Sequence, residues 1–177
     1  RTPLALEAAS VLEKLAPEAI DPELALTGAV CAGAEPSGRL FERAALERRP
    51  GVAIPIDDRT DGLAHSTLVH ASFSGDEEAT QAALSSLDDA TGRELASFVA
   101  LSAVEDAPSR AAEAIERALH PYAADRFETL GGFADVLDGV ARVQPGTGLA
   151  LALGHDVESA AHAAWRTHGK RAHTALR

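Results

Sequence analysis

The sequence predicts a predominantly helical α+β fold with one to three short strands. Apolar residues recur at a spacing of three or four along most of the chain, which is typical of amphipathic helices. A single short apolar run, residues 149–153, lies between glycines and indicates a buried strand. Helix-breaking proline and glycine residues divide the chain into a helical region over residues 1–48, a connector over 49–73, and a helical or mixed region over 74–177.

The first region is predicted to hold three helices. Thr2 and Pro3 have the chemistry of a cap and a first-turn residue, and an apolar stripe follows them. Asp21 and Pro22 start a second helix in the same way, and it is expected to end near residue 31. A third, shorter helix is expected over residues 40–46.

The connector differs from its surroundings because helix-breaking residues interrupt it. These residues are Pro50, Gly51, Pro55 and Gly62. We expect an ordered connector with a short helix near residues 63–69.

Two capping boxes predict the next helices. Ser74 is followed three residues later by Glu77, and Thr91 is followed by Glu94 at the same spacing. Pro108 has the position of a first-turn proline in a further helix.

The last third is predicted to contain a helix, a strand and a long C-terminal helix. Thr129 caps the first of these, and the glycines of residues 146–148 form a turn. The buried strand occupies residues 148–153, and Asp156 caps the final helix.

The charge of the chain limits its partners. Acidic residues outnumber Lys and Arg 27 to 16, which gives a net charge of −11 and argues against a basic nucleic-acid clamp.

No apolar run approaches the ~20 residues that span a bilayer, and no secretory signal is visible, so we expect a cytoplasmic protein without membrane contact. The lack of methionine and the start at Arg1 predict that the native start is missing. Acid-rich, lysine-poor composition is typical of halophilic archaea, although an acidic protein from a GC-rich genome is the alternative.

Three blocks of the sequence are similar to archaeal RecJ-like proteins of the DHH phosphoesterase superfamily. Residues 24–32 resemble the helix that closes the DHH core, and residues 73–79 resemble the glycine-acid-acid helix start that follows the family's connector. Residues 133–142, followed by 148–154, resemble the helix with an asparagine-to-glycine-arginine signature and the strand after it. The resemblance implies that the chain comprises the end of a DHH core, a connector and a helical or mixed C-terminal region.

The resemblance also implies a degenerate catalytic site. Family members bind two divalent cations in the DHH domain, but this chain has no Asp-His-His triplet, and Ala32 stands where the family has a metal-binding aspartate. A methyl group cannot ligate a cation, so we expect no catalytic residue and no metal in this chain. Mn²⁺ or Mg²⁺ would be required only if a DHH domain lies upstream.

The family's signature helix is only partly kept. Arg142 matches an arginine that the resemblance places against a substrate phosphate, whereas Asp138 replaces the asparagine and Ala141 replaces the second glycine. An acid four residues before an arginine forms an ion pair on a helix surface and competes with phosphate. Both a surface ion pair and a residual phosphate or nucleic-acid contact remain open at this point.

By resemblance, the chain is expected to be a degenerate RecJ-like protein that acts in DNA replication or repair. Contacts with replication or repair proteins are the expected mode of action, and single-stranded DNA is a further candidate partner. The alternative is part of an active, metal-dependent, single-strand-specific exonuclease whose metal domain lies upstream of residue 1. A third hypothesis is a helical interaction module without a link to DNA.

Two other groups of residues have side chains that could form a site. His65 and His70 lie among acids that a divalent cation would favour. The acids are Asp57, Asp58 and Asp61. A separation of five residues does not place both histidines on one helix face, so no metal is expected there. Cys31 is predicted to be a small buried apolar residue rather than a nucleophile.

Overall fold

The computed structural model describes residues 4–55, 58–87, 90–106, 108–119 and 121–177, and the predicted helical character is confirmed. The first helices are α1 (Leu4–Leu15), α2 (Pro22–Cys31), α3 (Gly38–Ala44), α4 (Arg59–His65) and α5 (Glu77–Leu84), with a 3₁₀ turn at Pro17–Ala19. The later helices are α6 (Gly92–Asp106), α7 (Pro108–Ala118), α8 (Leu130–Val143), α9 (Pro145–Ala152) and α10 (Glu158–Leu176). Within these ranges β-structure is limited to isolated bridges, namely Arg48–Tyr122, Val52–Leu119 and Ala123–Thr129.

Three of the predicted caps are confirmed. The Asp21 carboxylate accepts the Leu24 amide at 3.1 Å at the start of α2. Thr91 and Glu94 form a reciprocal capping box, in which the Thr91 amide donates to Glu94 Oε2 at 2.8 Å. Thr129 accepts the amide three residues along α8 at 2.9 Å. The predicted cap formed by Thr2 and Pro3 lies outside the described residues.

Two other predicted caps are wrong. The N-cap of α5 is Asp76, because Ser74 is buried and its hydroxyl instead accepts the Ala71 amide at 3.0 Å. Asp156 does not cap the last helix, which begins at Glu158 without a side-chain cap.

The predicted turn and buried strand at residues 146–153 are also wrong. The segment forms α9, which begins at Pro145. Proline is favourable in the first helical turn, because the N–H that it lacks has no partner there. Only part of the apolar run faces the core: Leu151 is buried, whereas Leu149 and Leu153 are exposed. A buried strand would hide all of them.

The segment predicted as a connector contributes to the hydrophobic core. Its helix α4 begins at Arg59, before the predicted start, because Asp58 accepts two amides of the first turn. Leu63, Val69 and Phe73 are buried in the cluster that packs against α5 and α6. A second cluster surrounds Trp165. A third cluster joins α2 to α3.

Helix α8 lies at the centre of the fold, with α2, α9 and α10 packed around it. Its apolar stripe meets Trp165 of α10, which is fully buried. No helix in the described ranges combines the length and apolar character needed to cross a bilayer.

Candidate functional site

A cleft of about 370 Å³ opens between the C-terminal end of α2 and the side of α8. We call it the α2–α8 cleft. Its polar and ionisable lining residues include Cys31, Glu35, Arg48, Thr67, Tyr122, Asp135 and Asp138. Cys31 of α2 and Asp135 and Asp138 of α8 belong to two of the three sequence blocks described above, which are about a hundred residues apart in the chain.

The end of α2 follows from its local sequence. Gly33 adopts a positive φ of 75°, a conformation that glycine tolerates without the penalty of a Cβ atom. Its amide donates to the Val30 carbonyl, and the Ala34 amide donates to the Ala29 carbonyl at 2.9 Å. These two bonds close the helix and turn the chain along the rim of the cleft.

Ala32 forms the C-cap of α2 and is exposed. Its side chain is a methyl group, so it supplies no oxygen or nitrogen atom to a cation. The position that the resemblance assigns to a metal ligand therefore has no ligand atom.

Asp138 and Arg142 form the ion pair that their spacing predicts. Arg142 Nε donates to Asp138 Oδ2 at 2.8 Å, and its Nη2 donates to Oδ1 at 3.1 Å. Both nitrogens are aligned with the carboxylate, and these bonds raise the pKa of Arg142. Because the arginine side chain is 61 % exposed, the pair adds little to stability, and its consequence is that the guanidinium is engaged.

Cys31 has a different environment from the one predicted. The residue as a whole is exposed, although its thiol faces the protein and donates to the Ala134 carbonyl at 3.3 Å. Burial of the thiol, together with the charges of Asp138 and Asp135, raises the pKa of Cys31 to about 11. The thiol is therefore protonated near neutral pH and is a poor nucleophile, as predicted.

Asp135 is a buried polar residue that the sequence analysis did not single out. Its carboxylate accepts the indole N–H of Trp165 at 2.8 Å and the Thr67 hydroxyl at 2.5 Å, and the Thr67 amide lies at 3.2 Å. Burial raises the pKa of Asp135, while the donated bonds oppose this rise. The only available signal was an acid placed between Phe133 and Val136 in an apolar helix.

The α2–α8 cleft is acidic overall. Three carboxylates, those of Glu35, Asp135 and Asp138, line it, whereas Arg48 is the cation among its described lining residues. Arg48 lies over the ring of Tyr122 at 5.5 Å. This balance opposes binding of a phosphate and is compatible with neutral or basic groups.

A second cluster lies away from the cleft, where α4 meets α5 and α10. Asp61 and His65 are together there, but the third member is Glu77, which sequence reasoning missed. His70 stands apart from them, with its ring stacked on that of His173. Asp57 lies outside the described residues.

The His70–His173 contact predicts that the fold weakens in acid. His173 Nε2 lies 3.0 Å from the Ser66 carbonyl, so it carries the proton, and Nδ1 faces His70 Nδ1 at 3.2 Å. Burial, aided by electrostatic interactions with His70, His65 and Arg177 and opposed by the Ser66 hydrogen bond, lowers the pKa of His173 to about 4 from 6.5.

The unfolded chain therefore binds a proton at His173 that the folded chain refuses between about pH 6.5 and 4. We expect about 3 kcal/mol of stability, present above pH 6.5, to be lost as the pH falls through this window. Denaturant unfolding at a series of pH values measures the loss. His173→Gln should flatten the dependence, and the exposed His155→Gln should not; equal slopes in all three proteins would refute the role of His173.

Comparisons with known proteins show similarity to a haloarchaeal protein. An uncharacterized protein of Haloarcula marismortui is 53 % identical over 168 residues, which cover 88 % of this chain and 45 % of that protein. The chain thus spans less than half the length of this relative. A haloarchaeal relative is consistent with the source that the composition predicts.

No protein-family profile matches the chain. No solved structure matches it either.

Proposed function

We propose that the chain is a degenerate RecJ-like protein of the cytoplasm that contributes to DNA replication or repair by binding proteins rather than by hydrolysis. The observation that carries this proposal is the Asp138–Arg142 ion pair. Its Asp138 lines the acidic cleft together with Cys31, the last residue of α2, which Ala32 follows. Ala32 cannot hold a catalytic cation, and the arginine that could hold a phosphate is held by a carboxylate. Repulsion by a chain of net charge −11 further weakens contact with DNA.

The exposed face of α1 supports protein binding. Val11, Leu12 and Leu15 are all more than half exposed, and Leu15 is 78 % exposed. Their spacing places them side by side on the helix, where they form a small apolar surface. Adjoining exposed apolar side chains are a mark of protein interaction sites, so this surface, which we call the α1 face, is the proposed contact.

Cross-linking in haloarchaeal cells tests the proposed function. The wild-type chain should capture proteins of DNA replication or repair, and Leu15→Glu should abolish their capture by placing a charge in an apolar contact. Leu101→Glu is the matched control, because Leu101 is a leucine of α6 that is 64 % exposed. If the same proteins were captured by Leu15→Glu as by Leu101→Glu, the α1 face would not be the contact. Capture of proteins unrelated to DNA would favour a general interaction module.

A second candidate function is part of an active exonuclease whose metal domain lies upstream of residue 1. The observation that favours it is the position of the cleft, because the end of α2 and the helix α8 line it together. An upstream domain supplying Mn²⁺ or Mg²⁺ would lie against this cleft under this proposal, and single-stranded DNA would be its substrate.

Residual contact of Arg142 with nucleic acid has its own test. Asp138→Asn weakens the ion pair and frees the guanidinium, so affinity for a single-stranded oligonucleotide at low salt should rise about three- to tenfold. Arg142→Ala should leave the weak affinity of the wild-type chain unchanged, because its arginine is already engaged. Fluorescence anisotropy with a labelled oligonucleotide measures both. Asp156→Asn, which also removes one exposed negative charge, is the control; an equal rise in that variant would assign the effect to net charge alone.

A further inference from the structure

The imidazole of His65 is held in one tautomer by Asp61. His65 Nδ1 lies 2.8 Å from Asp61 Oδ1 and 3.1 Å from the Asp61 carbonyl oxygen, and both oxygens can only accept. Nδ1 therefore carries a proton. In the neutral ring, Nε2 then presents a lone pair.

The other ring nitrogen is buried without a hydrogen bond. His65 is fully buried, and its Nε2 has no hydrogen-bond partner among the described residues. Glu77 Oε1 lies 3.5 Å from this nitrogen. A lone pair that faces a carboxylate oxygen is repelled by it unless a cation lies between them.

The separation of these two atoms suits a metal ion. A Zn²⁺-like ion bonded to Nε2 and to Oε1 at about 2.0–2.1 Å would see them at about 115°, close to the angle of a tetrahedral site. Asp61 has the position of the carboxylate that orients a metal-binding histidine through its other ring nitrogen. A nitrogen and a carboxylate together favour Zn²⁺ or Co²⁺ over Mg²⁺ or Ca²⁺.

The neighbouring charges leave one carboxylate for the ion. Arg166 Nε contacts both Asp61 oxygens at 2.9 and 2.7 Å; although burial raises the pKa of Asp61, the bonds from Arg166 hold it below its usual value. Asp61 therefore stays ionised as the orienting group. Glu77 is 55 % exposed, and Lys170 Nζ lies 3.2 Å from its Oε1. A metal ion that binds Glu77 would therefore have to displace the Lys170 ammonium group.

We propose that His65 and Glu77 bind one divalent transition-metal ion of the Zn²⁺ class, with Asp61 as the orienting residue and water completing the coordination. The site joins α4 to α5 and is separate from the α2–α8 cleft. It revises the expectation that the chain holds no metal, and it does not depend on the proposed function.

Isothermal titration of the untagged full chain with Zn²⁺, and visible absorption of the Co²⁺-loaded chain, test this proposal. Wild type should bind one ion, and Glu77→Gln should weaken binding at least tenfold because a ligand is lost. Glu78→Gln, an exposed neighbour on the same helix, should bind as wild type does. Lys170→Ala should strengthen binding severalfold by removing the competing cation.

Glu77 is exposed and lies at the start of its helix, so we expect Glu77→Gln to fold. A circular dichroism spectrum of the variant tests this. Absence of one-to-one binding in the wild type would overturn the proposal. Equal affinities of Glu77→Gln and Glu78→Gln would overturn it as well.

Discussion

Replacement of Asp135 by alanine is expected to destabilise the fold by about 3–5 kcal/mol. The substitution removes the acceptor of three donors in the centre of the protein, the Trp165 indole and the Thr67 amide and hydroxyl. A buried donor that loses its acceptor costs about 1–3 kcal/mol. Asp135→Asn keeps the size of the side chain and one acceptor oxygen, so a smaller loss of about 1–2 kcal/mol is expected.

Denaturant unfolding followed by fluorescence measures this loss directly, because Trp165 is the chain's one tryptophan and itself donates to Asp135. Asp138→Ala is the matched control: it lies one turn along α8, and its exposed ion pair contributes about 0–1 kcal/mol. If Asp135→Ala cost no more than Asp138→Ala, the buried carboxylate would not hold α8 to α10 and to the segment that contains Thr67.

Replacement of Gly169 by alanine is expected to cost about 3 kcal/mol. A Cβ atom at this position would lie 2.1 Å from the His65 carbonyl oxygen and 2.9 Å from its carbonyl carbon. Both are backbone atoms, so relief requires α10 to move away from α4 rather than a side chain to rotate. The same movement would disturb the packing of Trp165 against His65, whose ring centroids are 5.8 Å apart.

Gly146→Ala is the control for that substitution. Nothing lies within 4 Å of a Cβ atom built on Gly146 in α9, so alanine should be neutral or stabilise the helix by up to about 1 kcal/mol. Thermal unfolding of the two variants in the same salt compares them. A Gly169→Ala variant as stable as Gly146→Ala would show that α4 and α10 do not approach as closely as described.

Local chemistry made part of the fold predictable from the sequence. The caps at Asp21, Thr91 and Thr129 use side chains that reach amides three residues away, so no distant contact decides them. The Asp138–Arg142 pair was predictable for the same reason, since its spacing alone brings the groups together.

Tertiary contacts decided the features that the sequence did not indicate. The apolar run of α9 fits a short strand as well as a helix by its periodicity, and Pro145 with the surface of α8 decides for the helix. Ser74 fits a capping box, but its hydroxyl is taken by the Ala71 amide in the interior.

The buried polar contacts are harder still to predict, because each depends on residues far apart in the chain. Thr67 and Asp135 are separated by 68 residues, and Ser66 and His173 by 107. Glu77 likewise reaches His65 only because α5 folds back on α4. No local pattern reports such contacts, so the residues that carry them could not be singled out beforehand.

The most direct test of the central claim, that this chain binds but does not hydrolyse, is a nuclease assay of the full chain on end-labelled single-stranded DNA with Mn²⁺. A nuclease active in the same salt provides the positive control. We expect no product above the protein-free reaction, because Ala32 offers no ligand atom to a cation and Arg142 is held by Asp138. Cleavage that rises in proportion to chain concentration and co-elutes with the chain, with two manganese ions bound per molecule, would contradict the claim.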